Sequence, residues 1–445
     1  MSGLSALDVL SGLDAARGDA SLHASPSIVS SFCAEVRDVV LLSSSSRGGS
    51  SMFAELLRGC PGTLHFRGEI NAFLHQAGLA WPRNGASSDS LDASHAAGAS
   101  ALLDLPLALD VGAPMGHWLA PVGPVSPERF AGALAWRLAA QWPGLNPTIA
   151  EVRRWVDEAL PFEASTGGLE GFHLRFLAAA RRAHPRVNPW YYDLGPERVQ
   201  AAFPELSPPA GPPSESVLEE PPFITIQPWR LADAEALARS PLIIKTPSNA
   251  YRLPFWRALF PNARVRVLHL VRNAAAAVNG LIDGWRFRGF HAHDMRGRGG
   301  LSIRGYSDVV PGGERWWKYD LPPGWEAMTA APLEQVCAFQ WRSAHRSILS
   351  FLEETDTPVL RLRFEDLVGE RREASLEALA DWLSLGAVGR SELLRRRVPP
   401  VMATARPRAR RWYERAELLG PVLEDRETQE LMQALGYALD PETWT

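Results

Sequence analysis

Residues Val39 to Leu42 are apolar, Ser43 to Ser51 are small, polar and carry Arg47, and Met52 to Leu57 resume an apolar pattern at helical spacing. The run reads as a strand, an anion cradle and a helix, the βα unit from which parallel-sheet α/β cores are built. In the loop, Gly48 and Gly49 let the backbone turn its N–H groups onto one anion, and Ser50 and Ser51 add hydroxyl donors. The helix N-terminus contributes its dipole and Arg47 a full charge. The competing reading is a Ser/Gly turn that only caps the helix. The loop lacks the G-x-x-x-x-G-K-[ST] spacing of a Walker loop, which weakens an ordinary ATP or GTP kinase.

With 445 residues, 46% hydrophobic and 22% charged, the chain can bury a large core. Its formal net charge of −4 argues against a general nucleic-acid binder, which needs a surplus of Lys and Arg on one face. Cys33, Cys60 and Cys337 form no C-x-x-C pair, and no His/Cys cluster has metal-ligand spacing, so no disulfide framework and no metal site are expected. Asp8, Asp14 and Asp19 interrupt the N-terminal apolar pieces, which speaks against a secretory signal or a membrane span and for a cytoplasmic protein. Sixteen tryptophans exceed packing needs, so some are expected in a pocket.

Along the chain, a βα unit over about 38–58 stops at Cys60-Pro61-Gly62, and Thr63 to Ile70 reads as a second strand. Residues 82–104 read as a surface loop. Helical spacing follows at Phe130, Leu134 and Leu138, and Thr148 with Glu151 makes a capping box ahead of Val152, Trp155, Val156, Ala159 and Leu160. Another helix runs from about Leu169 to Ala183, stopped by Pro185. Seven prolines between Pro204 and Pro222 act as a stiff connector before the strand-like Phe223 to Ile226. Strands are then expected at Pro241 to Ile244, Val265 to Val271 and Val359 to Phe364, with a helix from Tyr251 to Phe260. The simplest architecture is one parallel-sheet α/β core, residues 38–445, behind an N-terminal extension of 1–37. A large, mostly helical insertion at about 80–235 interrupts it.

Four segments together resemble sulfotransferases that use 3′-phosphoadenosine 5′-phosphosulfate (PAPS), particularly the bacterial and tyrosylprotein-type branch. Arg47-Gly48-Gly49-Ser50-Ser51 is similar to the family's 5′-phosphosulfate loop. Ile244-Lys245-Thr246-Pro247, with Tyr251 to Ala263, resembles its Lys-Thr-Pro helix and the Phe-Pro-x-Ala approach to the central strand. His269-Leu270-Val271-Arg272-Asn273 resembles the strand whose arginine grips the 3′-phosphate, and Leu360 to Leu367 resembles the late strand ending in Glu-Asp-Leu. The order and spacing agree over about half the chain, leaving the insertion unmatched.

The resemblance implies a P-loop-like sulfotransferase core whose cofactor-binding residues are Arg47, Gly48, Gly49, Ser50, Ser51, Arg272, Asn279, Gly280 and Arg406. Arg47 and Lys245 would hold the phosphosulfate, and Glu69 would act as general base. Two anion elements at the carboxyl ends of parallel strands suit a doubly phosphorylated nucleotide lying across the switch point of the sheet. The family's proline two residues after Arg272 is Ala274 here, and its serine eight residues on is Gly280. Asn279, a backbone amide or the arginines of the Arg406 to Trp412 run would replace that hydroxyl, although this run also reads as a solvated charged helix. Glu69 also has a plain reading, as a carboxylate paired with Arg67 or a helix terminus. His65, expected on the same strand face as Arg67 and Glu69, is a lesser base, and His291 and His293 are placed in a mobile substrate loop. The expected activity is transfer of a sulfuryl group from PAPS to a hydroxyl of a small or lipid-like acceptor, without a metal, releasing 3′,5′-adenosine bisphosphate. A homodimer is left open. The alternatives are a P-loop-type small-molecule kinase and a catalytically silent nucleotide-binding scaffold.

Overall fold

A computed structural model describes residues 31–114, 116–117, 120–121, 147–160, 168–191, 194–211, 229–289, 292–397 and 401–444. Successive residues of a strand face opposite sides, and in the first strand both sides are core: Val39 and Leu41 belong to one apolar cluster, Val40 and Leu42 to another. The same alternation recurs in the next strand over, with Leu242 and Ile244 on the first side and Ile243 on the second. Strands buried on both faces require a helix layer on each.

The central sheet has seven strands: β1 (Asp38–Ser43), β2 (Leu64–His65), β3 (Gly112–Pro114), β4 (Trp229–Leu231), β5 (Leu242–Lys245), β6 (Arg264–Val271) and β7 (Val359–Arg363). Their order is β7-β6-β1-β5-β2-β3-β4. The pairs from β7 through to β2 are parallel, whereas β3 and β4 add antiparallel edges. The sheet is therefore mixed and not wholly parallel, and two of its strands come from the 80–235 segment. β1 has β5 on one side and β6 on the other, so the chain winds away from it in both directions. The sheet's switch point lies at the carboxyl end of β1.

One face is covered by the Leu253–Leu259 helix through Leu253, Phe255 and Trp256, and by Leu103 and Leu107 of the Ala99–Ala108 helix. The other is covered by Phe53 and Leu57 of the Ser50–Arg58 helix, and by Leu376 and Leu379 of the Arg372–Leu383 helix. A third cluster joins the Ala274–Arg286 and Leu333–Glu353 helices to the last forty-odd residues, with Trp285, Trp317 and Trp341 at its centre.

Several expectations need revision. Strand β2 covers only Leu64 and His65, so Arg67 and Glu69 lie in a loop and the shared-face argument for His65 fails. Residues 82–104 are only partly a surface loop: a 3₁₀ turn at Ala93–Ala96 and the start of the Ala99–Ala108 helix lie within them, and Asn84, Ser88, Asp89 and Leu91 are buried. Side chains supply the order that regular structure does not. Asn84 Nδ2 donates to Ser88 O at 2.9 Å and Arg252 Nε donates to Asp89 O at 3.0 Å. Residues 32–36 are built into the core by Phe32, Cys33 and Val36. The Tyr251–Phe260 helix begins as a 3₁₀ segment, Pro247–Tyr251. The Thr148/Glu151 capping box is present, and the Ile149–Ala159 and Gly168–Ala183 helices share a cluster of their own around Val152, Trp155 and Phe176. Phe130, Leu134, Leu138, Phe223 to Ile226 and residues 212–222 of the proline-rich connector lie outside the described residues. No helix among the described residues is long and apolar enough to cross a membrane.

Buried histidines set the acid response of this fold. Burial lowers His65 and His269 well below the ordinary imidazole range, and it lowers His345 to about 3. The unfolded chain therefore binds these protons first, so their contribution is complete above about pH 6.5 and drains as pH falls toward 3, at up to about 1.4 kcal/mol per pH unit for each. Asp320, raised by burial to about 6, partly offsets this in the opposite sense. Urea midpoints should fall clearly between neutral pH and about pH 5, and a midpoint constant over that interval would contradict the buried, neutral imidazoles.

Candidate active site

The loop after β1 achieves its turn in a way that composition alone does not reveal. Arg47 and Gly49 are the left-handed residues, with φ of 60° and 96°. Gly48 serves close approach, since a Cβ there would collide with Ser44 Oγ and lie 2.9 Å from Ser45 O. A Cβ on Gly49 would run into the Phe364 ring. Gly49 is the N-cap of the Ser50–Arg58 helix, whose first-turn amides have no intrahelical acceptors. The hydroxyls of Ser44 and Ser45 are buried with no hydrogen-bond partner among the described residues. Orphaned donors of this kind mark a place where a polar ligand belongs.

Each neighbouring strand ends in a residue that faces the same space. Lys245, the last residue of β5, donates to Ser51 Oγ at 3.2 Å and forms an ion pair with the buried Glu69. Arg272, just past β6, donates from Nη1 to Arg47 O at 3.1 Å and lies with Cζ 4.6 Å from the centre of the Phe364 ring, just past β7. Burial, only partly countered by Glu365, lowers Arg272 to about 10, so it stays cationic at neutral pH. Asn273 caps the Ala274–Arg286 helix, its side chain accepting from Ala276 N at 2.8 Å. Glu365 accepts from Asn273 N at 3.1 Å and Nδ2 at 2.6 Å, and from Tyr437 OH at 2.7 Å. The glutamate of the Glu-Asp-Leu motif thus ties β7 to the strap after β6.

A cavity of about 570 Å³ opens above these strand ends. Its walls include Arg47, Ser50, Ser51, Lys245, Arg272, Asn279 and Gly280, together with residues 401–405, 407–412 and Trp444. Among the described residues, six cationic side chains line it (Arg47, Lys245, Arg272, Arg408, Arg410 and Arg411) beside one lining carboxylate, Glu365, and four of them are paired with acids outside the wall: Lys245 with Glu69, Arg408 with Glu414, Arg410 with Glu442 and Arg411 with Asp283. Cationic groups gathered in a concavity attract an anion. Of the five non-glycine residues with left-handed backbone among the described residues, Arg47, Tyr319, Met402 and Arg410 line this one cavity. Backbone strain of that sort collects at ligand clamps.

The segment after residue 400 is held by the cradle itself. Arg47 Nη1 donates to Met402 O at 2.8 Å and Nη2 to Thr404 Oγ1 at 3.2 Å. Asp283 pairs with both Arg411 and Arg415, and Arg415 Nη1 donates to Asn279 Oδ1 at 2.7 Å. The run from Arg406 to Arg410 is loop and not helix, and only Arg411 onward turns as 3₁₀. Arg406 is exposed and does not line the cavity; Arg408, Arg410 and Arg411 do. Glu69 and Gly48 are also absent from the walls, and Glu69 meets them through Lys245. An added Cβ at Gly280 would lie 3.5 Å from Arg47 Cβ, an ordinary contact, so this cavity-lining position has room for a small side chain.

His65 and His293 do not reach this space. His65 Nε2 lies 3.0 Å from Thr63 Oγ1 and is absent from the cavity walls. His293 is on a short strand, Ala292–Asp294, buried and 3.2 Å from Asp89 Oδ2, with its ring 5.7 Å from that of Trp81, so it is no part of a mobile loop. His291 lies outside the described residues. Sequence reasoning missed Tyr319, Trp444 and the buried acids Asp89 and Asp320. For Asp320 a signal existed: an aspartate directly after Trp316-Trp317-Lys318-Tyr319 sits in an aromatic run that folding buries.

No protein-family model matches the chain, and no curated protein matches it. Among solved structures, the chain is similar to a sulfotransferase domain from the curacin biosynthetic pathway, at 12% identity and a TM-score of 0.38, covering 91% of this chain and 99% of that one. It is also similar to the sulfotransferase STF9 from Mycobacterium avium, at 14% identity and a TM-score of 0.33, covering 91% of this chain and 78% of that one.

Two glycines should respond oppositely to substitution. Gly49→Ala forces a side chain into a left-handed backbone against Phe364 and should lower stability by roughly 1–3 kcal/mol. Gly280→Ser fits its space within a helix and should stay within about 0.5 kcal/mol of wild type. Chemical unfolding of both variants checks the pair, and equal effects would contradict the packing described.

Proposed function

We propose that this protein is a sulfotransferase of the bacterial and tyrosylprotein-type branch, moving a sulfuryl group from PAPS to a hydroxyl of a small or lipid-like acceptor in the cytoplasm. The observation that carries the reading is the cavity at the carboxyl ends of β1, β5, β6 and β7, lined by six cationic side chains and one carboxylate. Its residues fit a nucleotide with two separate anionic groups. The orphaned hydroxyls of Ser44 and Ser45 lie at the β1 end, and Arg272 stands beside Phe364 at the β6 and β7 ends. The four sequence segments that resemble the family fall on those same strand ends. In this reading residues 38–445 act as one catalytic unit, and the 80–235 segment contributes to the acceptor pocket.

PAPS supplies an activated sulfuryl group joined to phosphate through a bridging oxygen. The Arg47 to Ser51 loop binds the phosphosulfate, with donors from the helix N-terminus and the serine hydroxyls. Arg272 offers a bidentate contact to the 3′-phosphate. Lys245, held between Ser51 and Glu69, stands where positive charge can neutralise the bridging oxygen as its bond to sulfur breaks. Glu69 takes the acceptor's proton as the new S–O bond forms, and its ion pair with Lys245 orients the carboxylate. Fixed positive charge and positioning are what a loose transfer of this kind needs.

The test separates binding from turnover. Wild type should bind 3′,5′-adenosine bisphosphate by calorimetry, and Arg47→Ala should weaken that binding at least tenfold, about 1.4 kcal/mol. Glu69→Gln should bind normally yet lose about 10²-fold or more of sulfuryl transfer to a hydroxylated acceptor library. Wild type without affinity for this nucleotide at micromolar concentration would overturn the reading, and full activity in Glu69→Gln would move the base elsewhere.

A further inference from the structure

Beneath the cradle lies a carboxyl group that the transfer chemistry leaves unused. Asp320 is 1% exposed, with Oδ1 2.6 Å from Ser46 Oγ and Oδ2 accepting from Tyr251 OH at 3.0 Å. Its position is over-determined. Trp317 Nε1 and Gln340 Nε2 each donate to its carbonyl at 2.9 Å, and the preceding residue, Tyr319, is left-handed with φ of 66°. Among the described residues the charged groups facing it are Asp89 and Arg252, themselves 3.6 Å apart, and the titratable Tyr251. Burial, reinforced by Asp89, lifts its carboxyl to about 6 against the hydrogen bonds from Ser46 and Tyr251. Ser46 lines the cavity, and no histidine among the described residues does.

A carboxylate only accepts hydrogen bonds, whereas a hydroxyl carries a single proton. While Asp320 is ionised, Ser46 must spend its proton on Oδ1 and has none for a ligand. A proton taken from solvent onto Oδ1 reverses the bond: Asp320 then donates to Ser46 Oγ, and the Ser46 O–H turns toward the cavity. The same proton removes a buried negative charge from beneath an anion site. Both effects have one sign, and by linkage an anion in the cradle must raise the affinity of Asp320 for its proton.

We propose that Asp320 is a positioning residue that couples anion binding in the Ser44 to Ser51 cradle to the uptake of one proton, by reversing its hydrogen bond with Ser46. The proposal rests on the anion-binding reading of the cradle and is independent of the acceptor.

Inorganic sulfate is the probe, since it stays fully ionised across the range, titrated calorimetrically into the full chain in phosphate-free buffers of differing ionisation enthalpy. Wild type should bind sulfate roughly fivefold or more tightly at about pH 5 than at about pH 7.5, with a buffer-dependent heat that reports proton uptake. Asp320→Asn, neutral at every pH, should lose that slope, and Ser46→Ala, which leaves the carboxyl in place, should flatten it. Sulfate binding to wild type without slope or proton uptake would overturn the coupling alone, as would an unchanged slope in Asp320→Asn. Sulfate failing to bind wild type at any pH would overturn the anion-site reading and the coupling with it. Should Asp320→Asn not fold, the proton uptake of wild type and the slope in Ser46→Ala decide the matter.

Discussion

The parallel pairing of β1 between β5 and β6 is the constraint on which the rest of this molecule depends. Because the three strands run the same way, the loop after β1, Lys245 at the end of β5 and Arg272 after β6 emerge on one edge of the sheet. Residues far apart in sequence are thereby brought within hydrogen-bonding reach: Arg272 reaches Arg47 O, and Lys245 reaches Ser51. An antiparallel partner at either position would have carried its terminal residue to the opposite edge. The antiparallel strands β3 and β4 lie at the far border, where they extend the sheet without entering this cluster.

A second level of organisation holds the first in place. Thr246 and Arg252 both donate to Asn71 Oδ1, at 2.9 and 2.7 Å, which fixes the loop carrying Glu69 to the segment that follows Lys245. Asp89 accepts from Ser248 Oγ and Leu321 N, joining that segment to the turn that bears Tyr319 and Asp320. Buried polar groups of this sort are costly when unpaired, and their mutual satisfaction gives the site little freedom to drift. The candidate chemistry therefore stands on a nearly continuous polar network beneath the cavity floor.

Much of this was legible in the sequence, and the reasons are local. The βα unit around Arg47, the Thr148/Glu151 cap and the strand ending at Val271 all carry their signal within a few residues: a run of apolar side chains, a capping pair, a breaker. Lys245 and Arg272 were legible through the family resemblance, and the topology of a parallel sheet brings such strand ends together. What escaped has a different cause. The burial of Asp89 and Asp320 depends on partners more than a hundred residues away, such as Arg252 for the first and Ser46 for the second. The length of β2 depends on its parallel partner β5, and no window around Thr63 to Ile70 contains that information. Arg406 was chosen from a run of arginines in which only the folded path of the loop distinguishes the lining residues from the exposed one.

The bond from Arg47 to the carbonyl of Met402 joins residues 355 positions apart. During synthesis the cradle can fold against β5 and β6 only once both have been made, and one wall of its cavity does not exist until residues 401–444 follow. Between the completion of β6 and the making of residues 401–444, a growing chain thus carries an exposed edge that bears Arg47, Lys245 and Arg272. The arginine that later closes the cavity is also the group that nascent acidic segments or cellular anions meet first, so assembly of this site is a competition that the C-terminal segment must win.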